Sequence, residues 1–190
     1  MAGAIVILSL ISMISGCVAR QAEVSAQSPV HTDPLAKIAN LKQDNPGFHI
    51  DIWTDKKRYH IGEEIRFYFR TSRDCYLTLI DYETNGNVQV LFPNRYYQNH
   101  FVRAGKTHII PGTEYGFKLI VEPPTGIEKI KAIATTEPLI LFDLDFATDF
   151  FPRVERSNKS SMKSLRFALD SLSSYDWTEN SCTISIRENS

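Results

Sequence analysis

The stretch Tyr59–Asn94 carries three successive strand patterns together with their turns, and this restricts the fold more than any other feature of the chain. Apolar residues occupy every second position in 65–69, the period of a strand with one buried face. Residues 75–80 are apolar nearly throughout, which predicts a central strand buried on both sides. Asn85–Gly86 supplies a tight hairpin turn, after which Val88–Phe92 resumes the alternation. The stretch therefore predicts an antiparallel scaffold and by itself indicates no chemistry.

The remainder of the chain adds more short strands and one helix. Further strands are predicted at Phe48–Trp53, Thr107–Ile110, Tyr115–Val121, Ile130–Ala134 and 181–187. Turns recurring at this interval are typical of a β-sandwich or barrel. Ser160 is a predicted N-cap of a helix over about 160–174, where one apolar stripe follows the helical period. We therefore expect a mainly β fold with one C-terminal α-helix.

The N-terminal residues have the composition of an export leader. Ala2–Ile14 is almost wholly apolar but too short to span a bilayer as a stable helix, which favours a signal-peptide core. The sequence Ile14-Ser15-Gly16-Cys17 that follows resembles the lipobox of bacterial lipoproteins, although no Lys or Arg precedes the apolar run. The resemblance implies that Cys17 is acylated and anchors the chain. Val18 in place of Asp implies sorting to the outer membrane, facing the periplasm; the alternative is a buried N-terminal segment with an ordinary cysteine.

Residues 18–47 are polar, show no sustained periodicity and are predicted to be a flexible tether. One local exception begins at Asp33-Pro34, a cap and first helical residue, followed by apolar residues at helical spacing. We expect this short helix to dock weakly or fray. The predicted organisation is therefore a leader over 1–17, a tether over 18–47 and one sandwich domain over 48–190, with its core in 48–138.

Several motifs in the middle of the chain resemble one bacterial envelope family. They are Tyr59-x-x-Gly62-Glu63-x-Ile65, Asp74-x-Tyr76-Leu77-x-Leu79, Gly86-x-Val88-x-x-Leu91-Phe92-Pro93-Asn94, Ala104-Gly105 before Ile110-Pro111, and Gly126-x-Glu128-x-Ile130-x-Ala132. The pattern resembles the domain of unknown function 4384 and covers about Phe48 to Pro138. The resemblance implies an immunoglobulin-like antiparallel β-sandwich in secreted or surface proteins. It implies no catalytic residues.

Composition and motifs disfavour several classes of function. With 21 Lys and Arg against 22 Asp and Glu, and no basic cluster, nucleic acid is not an expected partner. Glu63 and Glu64 are adjacent in a strand and point to opposite faces, so they cannot share a substrate. The acidic run Asp143–Asp149 lacks the glycine and further oxygen ligands of calcium loops. We expect no enzyme activity, no metal and no cofactor.

Cys75 and Cys182 both fall on the inward-facing parity of their predicted strands. An exported protein meets an oxidising compartment, where such a pair can form a disulfide if the strands are neighbours. Two separate buried thiols are the alternative.

Two segments concentrate aromatic residues outside the alternating core pattern. The candidate contact residues are Tyr96, Tyr97, His100 and Phe101 in one loop and Phe142, Phe146 and Phe150 in the segment 139–151. Loops on rigid sandwiches often carry function, but these aromatics could instead fold back as a satellite core.

The sequence thus predicts a non-enzymatic, outer-membrane-anchored lipoprotein whose sandwich binds an envelope protein. A glycan- or peptidoglycan-binding module is the alternative.

Overall fold

The computed structural model describes residues 33–147 and 149–189 of the chain. The strands are β1 (Ile50–Thr54), β2 (Arg58–His60), β3 (Glu64–Ile65), β4 (Phe67–Thr71), β5 (Cys75–Tyr82), β6 (Val88–Phe92), β7 (Phe101–Val102), β8 (His108–Ile110), β9 (Leu119–Ile120), β10 (Gly126–Thr135) and β11 (Trp177–Arg187). The α-helices are α1 (Pro34–Ala39) and α2 (Lys159–Ser171), and short 3-10 helices cover Thr113–Tyr115 and Leu172–Ser174.

The strands form two facing sheets and one small ladder. The smaller sheet has the order β1-β4-β8, and the larger has the order β2-β11-β10-β5-β6, with β7 also pairing with β5. All pairs in these sheets are antiparallel except β2–β11, which is parallel, and β3 pairs with β9 alone. The prediction of a mainly β sandwich with a C-terminal helix is confirmed.

Strand β5 lies inside the larger sheet and is buried on both faces. Cys75, Leu77 and Leu79 point into the core between the two sheets, whereas Ile80 points into a second core on the opposite face. The apolar sequence of β5 is explained because each face of the strand meets a different core. The prediction of a central strand is confirmed.

The second core lies between the larger sheet and α2. The apolar stripe predicted for this helix is buried, and its members are Met162, Leu165, Ala168, Leu169 and Leu172. The cap is Asn158, whose side chain accepts a hydrogen bond from the Ser161 amide at 3.1 Å, and not Ser160 as predicted. The strand after the helix begins at Trp177 and not at residue 181, since Trp177 itself packs into this core.

Helix α1 packs against the same core, which corrects the predicted start of the domain. Asp33 caps the helix through a 3.0 Å hydrogen bond from the Leu35 amide, with Pro34 at its first turn, as the sequence predicted. The predicted weak docking is wrong, because Leu35 and Ile38 are 1% and 0% exposed. Residues 33–47 therefore belong to the folded unit Thr32–Ser190 and not to a tether. The remaining tether and leader residues, 1–32, lie outside the described part of the chain.

Two local predictions are corrected by backbone geometry. In the hairpin between β5 and β6, the Gly86 amide donates to the Glu83 carbonyl and the Glu83 amide donates to Asn87. Gly86 alone has positive φ, at 86°, so the loop is a type I turn closed by a left-handed glycine and not a two-residue turn. The predicted strand Tyr115–Val121 is mostly a 3-10 turn and loop, and only Leu119–Ile120 pairs.

Cys75 and Cys182 are free thiols. Strand β10 lies between their strands, and Cys182 stands opposite Ile130, which in turn stands opposite Asp81 and not Cys75. The two cysteines are therefore at different heights of the sheet and on strands that do not pair. The disulfide alternative is not formed in this structure.

Candidate functional site

Aromatic side chains from three separate segments meet on one part of the surface. We call Tyr96, Tyr97, Tyr115, Phe117 and Phe150 the aromatic surface. Tyr96, Tyr97 and Phe150 are 45%, 42% and 45% exposed. Large apolar groups left this accessible on adjoining loops are a recognised mark of an interaction site.

The loop that carries Tyr96 and Tyr97 is held by a buried asparagine. Asn94 is 2% exposed, its Oδ1 accepts hydrogen bonds from the Tyr96 and Tyr97 amides at 3.0 Å each, and its Nδ2 donates to the Leu91 carbonyl at 2.9 Å. An asparagine used in this way fixes a turn through its own side chain. The two tyrosines therefore stand on a rigid loop at the end of β6.

Phe150 is brought to the same place by a segment that runs beside β6. The Arg95 amide donates to the Phe150 carbonyl at 3.2 Å, the Val90 amide to the Pro152 carbonyl at 3.0 Å, and the Val154 amide to the Val88 carbonyl at 2.8 Å. These bonds occupy the edge of β6 and align residues 150–154 with the sheet. Phe150 therefore faces Tyr96 because of backbone pairing.

Near-parallel stacking covers the ring faces in this cluster. The centroid of Tyr96 lies 4.4 Å from that of Phe117 and 5.3 Å from that of Phe150, with interplanar angles of 20° and 18°. The Arg95 guanidinium lies over the Phe150 ring at 4.8 Å. Two near-parallel rings at these distances occupy both faces of Tyr96, since each needs a face of its own. The stacked rings nevertheless stay partly accessible, since Tyr96 and Phe150 are each 45% exposed.

The second tyrosine is held by edge contacts on the side of a cavity. Tyr97 meets Tyr115 at a centroid distance of 5.3 Å with an interplanar angle of 89°. Burial, together with the hydrogen bond to Tyr97, raises the pKa of the Tyr115 phenol. The cavity beside them has a volume of about 240 Å³, and its walls include His108, Thr113 and Glu114. Polar and aromatic groups thus converge here.

The predicted contact residues separate into different environments. Tyr96, Tyr97 and Phe150 come together in the aromatic surface. His100 and Phe101 are half-buried and lean on Tyr76, each at a centroid distance of 5.3 Å. Burial lowers the pKa of the His100 imidazole.

The two remaining candidates in the segment 139–151 lie elsewhere. Phe142 is 5% exposed and packs in the second core, so its assignment to a contact surface is corrected. Phe146 is half-buried in a separate cavity lined by Pro93, His100 and Phe142. Sequence alternation could not separate the two phenylalanines, because the segment that carries them is not a strand.

Tyr115 and Phe117 belong to the aromatic surface but were predicted as strand residues. Their alternation with Gly116 and Lys118 imitates a strand period. Gly112 and Gly116 bracket the short 3-10 helix instead, and Gly116 adopts a positive φ of 66°. Two glycines four residues apart were the signal that could have indicated a loop here.

The described residues contain no group of three or more His, Cys, Asp or Glu side chains placed to hold a metal ion. Asp143, Asp145 and Asp149 are all exposed. Among the described helices, none combines the length and the apolar character needed to cross a membrane. Cys17, the predicted lipidation site, lies outside the described residues.

Comparison with known proteins identifies the middle of the chain. No curated protein matches the chain significantly. A family model, that of the domain of unknown function DUF4384, matches residues 58–138. The match ends where the sequence predicted and begins at residue 58 instead of 48, so β1, α2 and β11 lie outside it. The description of the family names no activity. The stretch from residue 58 to residue 138 is therefore a DUF4384 domain.

Proposed function

We propose that this chain is a non-enzymatic lipoprotein of the bacterial outer membrane whose sandwich binds an envelope protein through the aromatic surface. Cys17 carries the acyl chains, and the folded unit faces the periplasm. The leader composition and the lipobox resemblance support the anchor, while the exposed rings support the binding role. The proposal needs no cofactor and no nucleic acid.

The exposure of rings that are already stacked on one another is the observation that carries the binding role. A sugar ring stacks on a free aromatic face, and the faces of Tyr96 are already occupied by Phe117 and Phe150. A protein partner instead needs a contiguous apolar patch on a rigid base. Tyr96, Tyr97 and Phe150 form such a patch, and Asn94 holds its loop.

Site-specific photo-crosslinking in cells tests this role. A benzoylphenylalanine placed at Tyr97, which lies outside the three-ring stack, is expected to give a discrete adduct that Tyr96→Ser weakens. The matched control places the crosslinker at Phe167, which is 75% exposed on α2 and remote in sequence from the aromatic surface. Equal labelling at positions 97 and 167 would contradict the proposal.

A glycan-binding module is the second candidate, and the cavity beside Tyr97 favours it. Its walls combine Tyr115 with the polar side chains of Thr113 and Glu114, as sugar sites require. Sedimentation with purified murein decides between the two. Saturable binding that Tyr115→Ala abolishes, without a protein adduct at Tyr97, would replace the first candidate.

The anchor has its own test. Cys17→Ser is expected to move the protein from the membrane fraction to the periplasmic fraction. Unchanged fractionation would show that Cys17 is not acylated.

A further inference from the structure

A second cavity opens between the two sheets and carries buried acidic groups. Its volume is about 430 Å³, and its apolar walls include Phe67, Leu91, Val121 and Ile184. Asp81, Glu83 and Glu128 also line it. Asp81 follows Leu79 by two residues in β5, so its carboxyl lies on the inner, apolar face of the sheet. A carboxyl at such a position departs from the core pattern.

Asp81 lacks a partner inside this cavity. The residue is 8% exposed, and its Oδ1 makes no hydrogen bond. Glu128 is 9% exposed, and neither residue forms an ion pair within the described part of the chain. A buried polar group without a partner costs free energy, and native structures rarely leave one without a reason.

The cations that line the cavity are already engaged. Lys118 Nζ lies 2.9 Å from Glu64, and Arg153 Nε lies 3.7 Å from Glu83. Glu83 also accepts hydrogen bonds from Asn85 and Asn87, at 3.0 and 3.2 Å. Among the described residues, no basic side chain therefore pairs with the carboxyl group of Asp81 or Glu128.

Burial, together with the charges of Glu128 and Glu83, raises the pKa of Asp81 to about 8. Burial likewise raises the pKa of Glu128, although a bond from the Thr84 backbone opposes the shift. The charge of Asp81 in turn raises the pKa of the nearby Cys182 thiol. A positive charge in the cavity would return these carboxyls to their ionised form.

We propose that this cavity binds an organic cation, an alkylammonium or guanidinium group on an aliphatic stem, with Asp81 and Glu128 as its acceptors. The apolar walls pack the stem, and the two carboxylates accept charge-assisted hydrogen bonds from the head group. A bare metal ion fits poorly, because no group of three or more His, Cys, Asp or Glu side chains among the described residues is placed to hold one. The inference does not rest on the proposed function, because different residues carry it.

The cavity nevertheless adjoins the aromatic surface. Phe151 lines the cavity and contacts Phe117 at a centroid distance of 5.9 Å, and Lys118 follows Phe117 in the chain. A basic side chain of a partner bound at the aromatic surface could therefore reach the cavity. A free amine of similar chemistry could enter it independently.

Calorimetric titration of the full-length Cys17→Ser chain tests the proposal. The cationic probes are N-acetyl-lysine methylamide, N-acetyl-arginine methylamide and butylammonium, and N-acetyl-norleucine methylamide is the neutral probe of matched shape. We expect saturable binding of at least one cationic probe and none of the neutral probe. Tighter binding of the amino-acid probes than of butylammonium would indicate a polypeptide source, and the reverse order a free amine.

Variants separate this site from nonspecific attraction. Asp81→Asn and Glu128→Gln are each expected to lower the affinity for the cationic probe about tenfold or more, since each removes a buried charged acceptor. Asp51→Asn is the matched control, because Asp51 is 49% exposed on β1. Absence of binding to the unmodified cavity, or equal binding by all three variants, would overturn the proposal.

Discussion

Lys131 Nζ lies 2.8 Å from Glu179 Oε2, and the two side chains are 0% and 6% exposed. The same Nζ donates to the Leu41 carbonyl at 2.6 Å. Lys131 therefore joins β10 and β11 to the chain that follows α1. Burial lowers the pKa of Lys131 despite the opposing effect of Glu179. Burial alone would raise the pKa of Glu179, but the bonds and charges of Lys131 and Lys42 hold it below its usual value.

Glu179→Gln is expected to lower the free energy of unfolding by about 3–5 kcal/mol, because it leaves the Lys131 ammonium buried without a counter-charge. Urea unfolding measures the change. Asp176→Asn is the control: it breaks the Arg73–Asp176 pair, whose side chains are 53% and 62% exposed, and should cost less than about 1 kcal/mol. Similar losses of unfolding free energy in both variants would show that the buried pair stabilises the protein no more than the exposed pair does.

Ile38→Ala is expected to destabilise the folded unit by about 2–5 kcal/mol. The reason is that the side chain of Ile38, on α1, is fully buried in the second core. Thermal or urea unfolding gives the value. Lys37→Ala, on the exposed side of the same helix, should change the stability by about 0.5 kcal/mol or less. An unaffected Ile38→Ala variant would restore the sequence-based view of this segment as a tether.

Asp81 is expected to make the protein less stable as the pH rises from about 4 to about 8. The folded state raises the pKa of this carboxyl from 3.8 to about 8, so between these values the folded form binds a proton that the unfolded form has lost. The stabilisation is complete below the lower value and is lost on passing the higher one.

Unfolding midpoints measured across this range should fall with pH in the unmodified protein and fall less steeply in Asp81→Asn. A smaller slope remains in the variant because the folded state raises the pKa of Glu128 in the same direction. Asp51→Asn should keep the full slope. Identical slopes in Asp81→Asn and the unmodified protein would contradict the assignment.

In a Cys17→Ser background, both remaining thiols are expected to stay unmodified by a thiol reagent at neutral pH and to react fully in denaturant. Burial raises the pKa of both Cys75 and Cys182 to about 11, and the thiolate is the reactive form. Addition of a reductant should leave the unfolding midpoint unchanged. A midpoint that drops on reduction would indicate that a disulfide forms.

Local sequence patterns correctly predicted those elements whose conformation depends on residues close together in the chain. The apolar period of α2, the continuous apolar run of β5 and the Asp33-Pro34 helix start were all confirmed. Each depends on contacts within a few residues or on a single buried face. Tyr115 and Phe117 misled the prediction because a two-residue alternation in a glycine-flanked loop has the same period as a strand.

The sites required contacts between distant segments. The sequence identified Tyr96, Tyr97 and Phe150 as aromatics outside the core pattern, but the stacking of Tyr96 with Phe117 and Phe150 depends on how three loops fold together. Phe142 carries the same local signal and is buried, because it packs in the second core to which residues of α2 also belong.

By its own pattern, the sequence determined the sandwich, the C-terminal helix and the DUF4384 domain, since alternation and turn residues act over short distances. Tertiary structure alone decided that Asp81 lines a cavity, that Lys131 forms an ion pair with Glu179 and that Cys75 does not lie beside Cys182. Burial and partner choice depend on sheet order and register. Strand β11 joins the larger sheet between β10 and β2, and no pattern within β11 specifies that place.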